Sequence, residues 1–422
     1  MMIPPHLLKG KKVLIGVTGS IAAYKTLDLV RLFIKAGADV RVVMSDAAKK
    51  FVAPLSFEAL SRNAVLDEQS ESWSSDHNHI KTIEWADLFI IAPCSANTIG
   101  KLSNAIADNL LLQCALADPK VKLIAPSANT HMLNNPMTKA NLKMLGIANY
   151  EIVSTQVKEL ACQTTGDGAM AEPIEIFYHA SRLLLKDEYW SDRRVIVTGG
   201  GTIEKIDDVR YIGNFSSGKM ASALATALYL KGADVNLIST RFEPELPQNM
   251  HKIHVDDSAE MLEYITDSVR IAKKGVLSKA SLMNEEQIHL IQKKPYLFMA
   301  AAVSDYIPSF PQNGKMKKEM LGETYSLELK QNIDILSSIN KEGITTIAFK
   351  AEMDEQHAYD NAKAIIDKKS VDAVCLNLLK DSSSFGSSDN AIELITNERT
   401  LSLPKNDKLS LSLELLRALN GK

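Results

Sequence analysis

Short apolar runs alternate with helix-length segments along nearly the whole chain. Residues 12–17, 39–44, 88–92 and 121–125 are runs of the kind that fill buried parallel strands. Residues 21–36, 98–117 and 135–145 lie between them with helical patterning. That alternation predicts a doubly wound α/β domain. The pattern restarts with a strand at 194–198 and a helix at 217–230, whose Met220, Leu224, Ala227 and Leu228 share one face. Further strands are expected at 234–239, 296–301, 346–349 and 373–377. The polar segment 186–193 separates the two halves, so the chain reads as two Rossmann-like α/β domains, 1–190 and 191–422. Residues 272–294 are charged and helix-prone and read as a surface insertion; 309–319 read as a mobile basic loop.

Each half opens with a glycine-marked turn after its first strand. The first reads Thr18-Gly19-Ser20-Ile21 and the second Thr198-Gly199-Gly200-Gly201-Thr202. The helices that follow end in nearly the same words, Ala36-Gly37-Ala38-Asp39-Val40 and Lys231-Gly232-Ala233-Asp234-Val235. A strand, tight turn and helix present backbone amides and a helix N-terminus to an anion. Two such units imply two nucleotide-type ligands and two reactions.

Composition adds exclusions. With 422 residues, 45% hydrophobic, 23% charged and a net charge of −3, the chain has the balance of an ordinary globular protein and no polyanion-binding surface, so no nucleic-acid partner is expected. No apolar run approaches the roughly 20 residues of a membrane span. The N-terminus lacks the pattern of a secretory signal. Cys94, Cys114, Cys162 and Cys375 form no C-x-x-C and no metal-ligand spacing, which fits a reducing cytoplasm and names no metal ligand.

Candidate chemistry in the first half comes as an ordered set. Ala92-Pro93-Cys94-Ser95-Ala96-Asn97-Thr98 ends a strand and starts a helix. On its own it is a helix cap. It stands between His79-Ile80 with Trp85-Ala86-Asp87 on one side and Ala107-Asp108-Asn109-Leu110 on the other; Pro126-Ser127-Ala128-Asn129-Thr130-His131-Met132 and Leu160-Ala161-Cys162 follow. This set resembles the flavoprotein family that decarboxylates cysteine-like carboxylates, most closely the bacterial phosphopantothenoylcysteine decarboxylases. The resemblance implies FMN, with Gly19, Ser20 and Ile21 at its phosphate and Ser45, Ser95, Ala96, Asn97 and Thr98 around the rest. It makes His79 a proton shuttle, a task suited to an imidazole. It places Asn129 and Met132 on the substrate and gives Cys162 the return of a proton. Ala128 stands where the family has methionine, Gln163 where it has glycine, and Ala169 where it has arginine.

The second half is similar to the phosphopantothenate–cysteine ligases, so the whole chain resembles bifunctional coenzyme A biosynthesis enzymes. That resemblance implies a nucleotide site with Gly200 and Gly201 near the phosphates and Met299, Ala300 and Ala301 lining it. Asp305 would bind the ribose, and Ile333, Asp334, Ile335, Leu336, Phe349 and Lys369 would make further contacts. Asn214 would handle the acyl-nucleotide, and Lys315, first of Lys315-Met316-Lys317-Lys318, would be catalytic. Asn214 also reads as a plain helix cap. Asp208 replaces the family proline and Ile365 a contact lysine, which Lys363 could replace. The implied partners are 4'-phosphopantothenate, cysteine and CTP with Mg2+; residue types alone do not separate CTP from ATP. The family implies a homo-oligomer, a dodecamer. A different flavoprotein decarboxylation or prenylation would leave the ligase-like half unused, and a non-catalytic flavoprotein would not need His79, Asn129, Cys162, Asn214 or Lys315.

Overall fold

Continuous apolar strands need cover on both faces, and helices supply it in both halves. The computed structural model describes residues 3–159, 165–278, 280–282, 288–317, 323–354, 356–379 and 386–421. Its contacts divide the chain into two units. One is Met2–Lys186 with Ser278–His289; the other is Asp187–Leu277 with Leu290–Lys422.

The first unit is built on strands β1 (Lys12–Val17), β2 (Asp39–Met44), β3 (Leu88–Cys94), β4 (Lys122–Pro126) and β5 (Tyr150–Ile152). They form one parallel sheet in the order β2-β1-β3-β4-β5. This order reverses direction between β1 and β3, and ligands in such sheets bind at that switch point, beyond the strand C-termini. Every residue of β3 is buried. A separate antiparallel pair, β6 (Gln156–Glu159) and β7 (Thr165–Ala169), flanks residues 160–164. Cys162 and Gln163 therefore lie outside the described residues.

Two expected helices are divided. Residues 21–36 become a 3-10 turn, Ile21–Tyr24, and a helix, Lys25–Lys35. Residues 98–117 become helices Ala96–Ser103 and Leu110–Ala117. The break falls where Ala105 takes a left-handed φ of 54° and the Asn109 side chain caps the second helix by accepting the Leu112 N–H at 2.9 Å.

The second unit has an eight-stranded sheet. Its order runs His251–His254, Asp234–Ser239, Arg194–Gly199, Tyr296–Met299, Thr345–Glu352, Ala373–Leu378, Asp389–Ile395, Thr400–Asp407. The first six strands are parallel, and the last two join antiparallel. Those last two strands, with helix Lys408–Leu419, were not marked by the chain's apolar runs. The helix expected at 217–230 spans Lys219–Leu230, capped by Gly218 in a left-handed conformation. Asn214 is therefore not its cap. The insertion at 272–294 begins as the end of helix Ser258–Ala272, then pairs Val276–Leu277 with Leu290–Ile291. Gly275, at φ 75°, makes the turn, and a Cβ there would come within 2.6 Å of the Ile291 carbonyl.

Trp190 anchors this unit. It is 1% exposed, packs against Tyr189 and Tyr296, and donates its indole N–H to the Leu416 carbonyl at 3.3 Å. Trp190→Ala removes a fully buried aromatic and the indole hydrogen bond to that carbonyl, which keeps the Asn420 N–H at 3.2 Å. It is expected to destabilise this unit by about 3–5 kcal/mol, read as a lower midpoint in denaturant unfolding.

Candidate active sites

In the first unit the loops after β1 and β3 are tied together by Thr18. Its hydroxyl donates to the Pro93 carbonyl at 2.7 Å and accepts the Ser95 N–H at 3.0 Å, and the residue is 2% exposed. Ser95 then caps the next helix through the Thr98 N–H, with its oxygen 3.0 Å from the Thr98 hydroxyl. Ser20 caps the turn at Ile21–Tyr24, and its oxygen lies 3.0 Å from that of Ser127. Gly19 is required by close packing, since a Cβ would stand 2.6 Å from Ala47 Cβ.

These loops enclose a cavity of about 550 Å³, within the range of small-molecule sites. Gly19, Ser20, Ser45, Ser95, Ala96, Asn97, Thr98 and Met132 all line it. Ile21 is 57% exposed and is not part of the lining. Neither is Asn129, whose Oδ1 accepts the His131 N–H at 2.9 Å while Ala128 and Met132 on either side face the cavity. His79 also stands outside the lining. It starts a helix at His79–Trp85, with Nδ1 3.0 Å from Glu71 Oε1 and its ring edge-on to Trp73 at 5.5 Å. Asp108, from the run after the Ser95 motif, shares this wall with Asp46, Ala47, Glu68, Lys101 and Leu112, which no motif named. Hydroxyls, the amides of Asn97 and Asn109 and a Cβ-free turn beside apolar Ala96, Leu112 and Met132 fit an amphipathic, phosphorylated group such as a flavin mononucleotide.

The β6–β7 pair packs on the segment that follows β4. The Ala128 N–H donates to the Gly168 carbonyl at 3.2 Å. A Cβ on Gly168 would meet the Ala128 carbonyl at 2.2 Å, and one on Gly166 the Thr130 hydroxyl at 2.1 Å. Glu172 joins Lys25, at 3.0 Å, and Lys158 of β6. Burial works against its charge, and the two lysines outweigh that and keep the carboxyl below its usual range. Burial raises the thiols of Cys94, Cys114 and Cys375, Cys114 to about 12, so none of the three is a ready nucleophile.

The second unit repeats the threonine device. Thr198, fully buried, accepts the N–H groups of Ala300 and Ala301 at 3.1 and 3.2 Å. Gly200 and Thr202 pair with both faces of Ala302, at 2.8 and 3.1 Å. Two cavities open here, of about 460 and 210 Å³, sharing Ala301 and Phe349. The larger is lined by Met299, Ala301, Asp305, Phe349, Lys369 and the run Ile333 to Leu336. In its wall Asp334 caps the helix Ile335–Ser338 and pairs with Lys369 at 3.1 Å. Ala300 faces the smaller cavity, where Lys219 donates to the Gly386 carbonyl at 2.8 Å and Lys408 to that of Ser387. Burial, then the neighbouring Lys219, lowers the pKa of Lys408. Lys219 belongs to the run Asn214 to Met220 that follows the second glycine turn, and Lys408 to no motif.

Gly200, Gly201, Asn214 and Lys315 line neither cavity. The glycines are explained by packing: Cβ atoms on Gly200 and Gly201 would meet Thr240 Oγ1 at 2.1 Å and the Asn214 carbonyl at 2.5 Å. The Asn214 side chain donates to the Val303 carbonyl at 2.9 Å. Ile365 packs against a core cluster, and Lys363 is exposed and not in the lining, so neither supplies the family's lysine contact. Lys315 is exposed on a loop stitched to 206–210. Asp208 accepts the Gly314 N–H at 2.8 Å, Asp207 the Met316 N–H at 3.2 Å, and Arg210 donates to the Met316 carbonyl at 3.1 Å. Lys318 lies outside the described residues. Among the described residues no cluster of His, Cys, Asp and Glu is arranged to hold a metal ion.

The fold and the cavities define a two-unit α/β protein with a small-molecule cavity at the switch point of each sheet. A family model described as Flavoprotein matches residues 1–183, and one described as DNA/pantothenate metabolism flavoprotein C-terminal domain matches 190–421. The coenzyme A biosynthesis bifunctional protein CoaBC of Vibrio vulnificus is 34% identical over 415 residues, 97% of each chain. Those of Bacillus subtilis and Escherichia coli are 34% and 31% identical over 418 residues. A solved structure of a mutant PPC decarboxylase complexed with pantothenoylaminoethenethiol is 35% identical over 41% of this chain and 97% of its own, with a TM-score of 0.38. The chain belongs to the CoaBC family of coenzyme A biosynthesis bifunctional proteins. It is an enzyme with a flavoprotein decarboxylase half and a ligase half.

Asp207 gives a pH test of the stitched loop. Burial opposes its charge, but the N–H groups of Val209, Met316 and Arg210 and the Arg210 guanidinium prevail and lower its pKa from 3.8. A depressed carboxyl stabilises the fold fully above the unfolded value and loses that contribution as pH falls through the folded one. Asp207→Asn is therefore expected to be less stable than wild type at pH 7, with the gap closing below about pH 4. Urea unfolding at a series of pH values checks this.

Proposed function

We propose that the chain converts 4'-phosphopantothenate and cysteine to 4'-phosphopantetheine, by CTP-dependent ligation and then FMN-dependent decarboxylation. The observation that carries the reading is that each unit opens a cavity at its switch point, and each is lined by most of the residues its motif set supplies. In ligation, the substrate carboxylate attacks the α-phosphorus of CTP and pyrophosphate leaves, giving an acyl-cytidylate. The cysteine amine then attacks the acyl carbon, and CMP leaves as the amide forms. Lys315 on its stitched loop offsets the repulsion between two anions, a charge placed where it is needed in the transition state. Mg2+ carried by the triphosphate would offset its charge. Asn214 holds the acyl-cytidylate, Asp305 the ribose, and Lys369 with Asp334 the far wall of the larger cavity.

In decarboxylation, FMN supplies a two-electron acceptor that returns the pair, so the overall reaction is redox-neutral. Gly19, Ser20 and Ile21 hold its phosphate, and Ser45 with Ser95 to Thr98 the remainder. His79 moves the proton, Asn129 and Met132 hold the substrate, and Cys162 returns a proton to complete the product. The homo-oligomer, a dodecamer, and the cytoplasmic location belong to the same reading.

Separate half-reaction assays on the full chain test it. Pyrophosphate release is expected to require CTP and 4'-phosphopantothenate, CMP release and continued turnover to require cysteine as well, and carbon dioxide release to require bound FMN. His79→Asn should lose carbon dioxide release and keep pyrophosphate release. Lys315→Gln should do the reverse, with ligation lowered about 10²–10³-fold. Pyrophosphate release with ATP but not CTP overturns the nucleotide assignment. Wild-type carbon dioxide release from His79→Asn overturns the role of that histidine.

A further inference from the structure

His79 and Glu71 form a pair that no motif marks. Nδ1 of the imidazole lies 3.0 Å from Glu71 Oε1, and both side chains are about three-quarters buried, at 24% and 23% exposed. Among the described residues nothing meets the other ring nitrogen, Nε2. The pair is held from several sides. Asn78, 4% exposed, caps the helix that begins at His79 by accepting the Lys81 N–H at 3.0 Å. The Cys114 thiol approaches the His79 carbonyl at 3.9 Å. The Trp73 ring stands edge-on to the imidazole at 90°. Upstream of Glu71, Asp67 accepts the Gln69 and Ser70 N–H groups at 3.0 and 2.8 Å and pairs with Lys49 at 2.7 Å. The Ser72 N–H reaches the His77 carbonyl at 3.1 Å and closes the loop.

We infer that Glu71 is a positioning residue that fixes His79 as its Nδ1–H tautomer and leaves Nε2 to exchange the proton with substrate. An ionised carboxylate can only accept hydrogen bonds, so the nitrogen facing it carries hydrogen. A neutral imidazole held that way has Nε2 as its acceptor, and the partner of one ring nitrogen sets the role of the other. Without Glu71 no carboxylate selects one tautomer over the other. The inference rests on the reading of His79 as the proton-handling group of the decarboxylase half.

The test uses the full chain with Glu71→Gln, Glu71→Asp, His79→Asn and the double variant Glu71→Gln/His79→Asn. Glu71→Gln nearly conserves shape, but its amide can donate as well as accept and no longer selects a tautomer. Its kcat for decarboxylation is expected to fall about 10- to 100-fold, the scale seen when a partner that orients a metal-bound imidazole is removed. KM, flavin content and ligation should stay within about twofold. Glu71→Asp keeps the acceptor-only carboxylate and should recover part of the loss. The double variant should be no slower than His79→Asn alone, because the two residues act as one unit.

A second readout is independent of turnover. With ¹³C,¹⁵N-labelled histidine, the resonance missing from His79→Asn should report the Nδ1–H tautomer in wild type and a tautomer mixture in Glu71→Gln. The inference is overturned if His79→Asn abolishes decarboxylation while Glu71→Gln keeps wild-type kcat and an unchanged His79 resonance. Additive losses in the double variant also overturn it. If His79→Asn itself decarboxylates at the wild-type rate, the catalytic reading of His79 fails instead.

Discussion

Both units depend on a buried threonine hydroxyl at the end of the strand where the sheet order reverses. At a switch point two neighbouring strands send their chains to opposite sides, and the ladder that paired them ends. Backbone groups just beyond it would be left buried without partners, at about 1–3 kcal/mol each. Thr18 answers this by donating to Pro93 and accepting from Ser95. Thr198 answers it by accepting from both Ala300 and Ala301. The same bonds fix the spacing of the two loops that frame each cavity. What stabilises the crevice therefore also shapes it.

The two crevices differ in what surrounds that frame. The first is edged by the hydroxyls of Ser20, Ser45, Ser95, Thr98 and Ser127, with Asp46, Glu68, Lys101 and Asp108 also in its wall. The second divides into two chambers at Ala301 and Phe349, with an Asp334–Lys369 pair on one side and Lys219 and Lys408 on the other. Lysines whose ammonium groups rest on backbone carbonyls can turn toward an incoming polyanion without first breaking an ion pair. Asp208, a departure from the family pattern, acquires a task as well. It holds the Gly314 N–H one residue before Lys315 and so steadies the base of the basic loop.

The central parallel strands were legible because a strand buried on both faces must be apolar throughout; the parallel edge strands Tyr150–Ile152 and His251–His254, short and partly exposed, were not. Two glycine turns, each after a strand, marked the two halves, and the lining residues that were expected came from the family resemblance rather than from the pattern itself. What was not legible depends on contacts distant in sequence or on single backbone angles. The left-handed turn at Ala105 divides a segment whose apolar spacing suits one helix. The antiparallel strands Asp389–Ile395 and Thr400–Asp407 are half exposed and alternate too irregularly to stand out. Gly200 and Gly201 match a phosphate-loop pattern, but their missing side chains are explained by Thr240 and the Asn214 carbonyl. Glu71 sits on a loop with no periodicity, and only the fold brings it to His79.

The central claim is that each threonine frames its own crevice. It is tested most directly by measuring both half-reactions in Thr18→Val and in Thr198→Val, isosteric changes that remove only the hydroxyl. The account predicts that Thr18→Val loses flavin retention and decarboxylation while ligating normally, and that Thr198→Val loses ligation while keeping its flavin and decarboxylating supplied substrate. Two variants with both activities intact would contradict it, as would either variant losing the activity of the other unit.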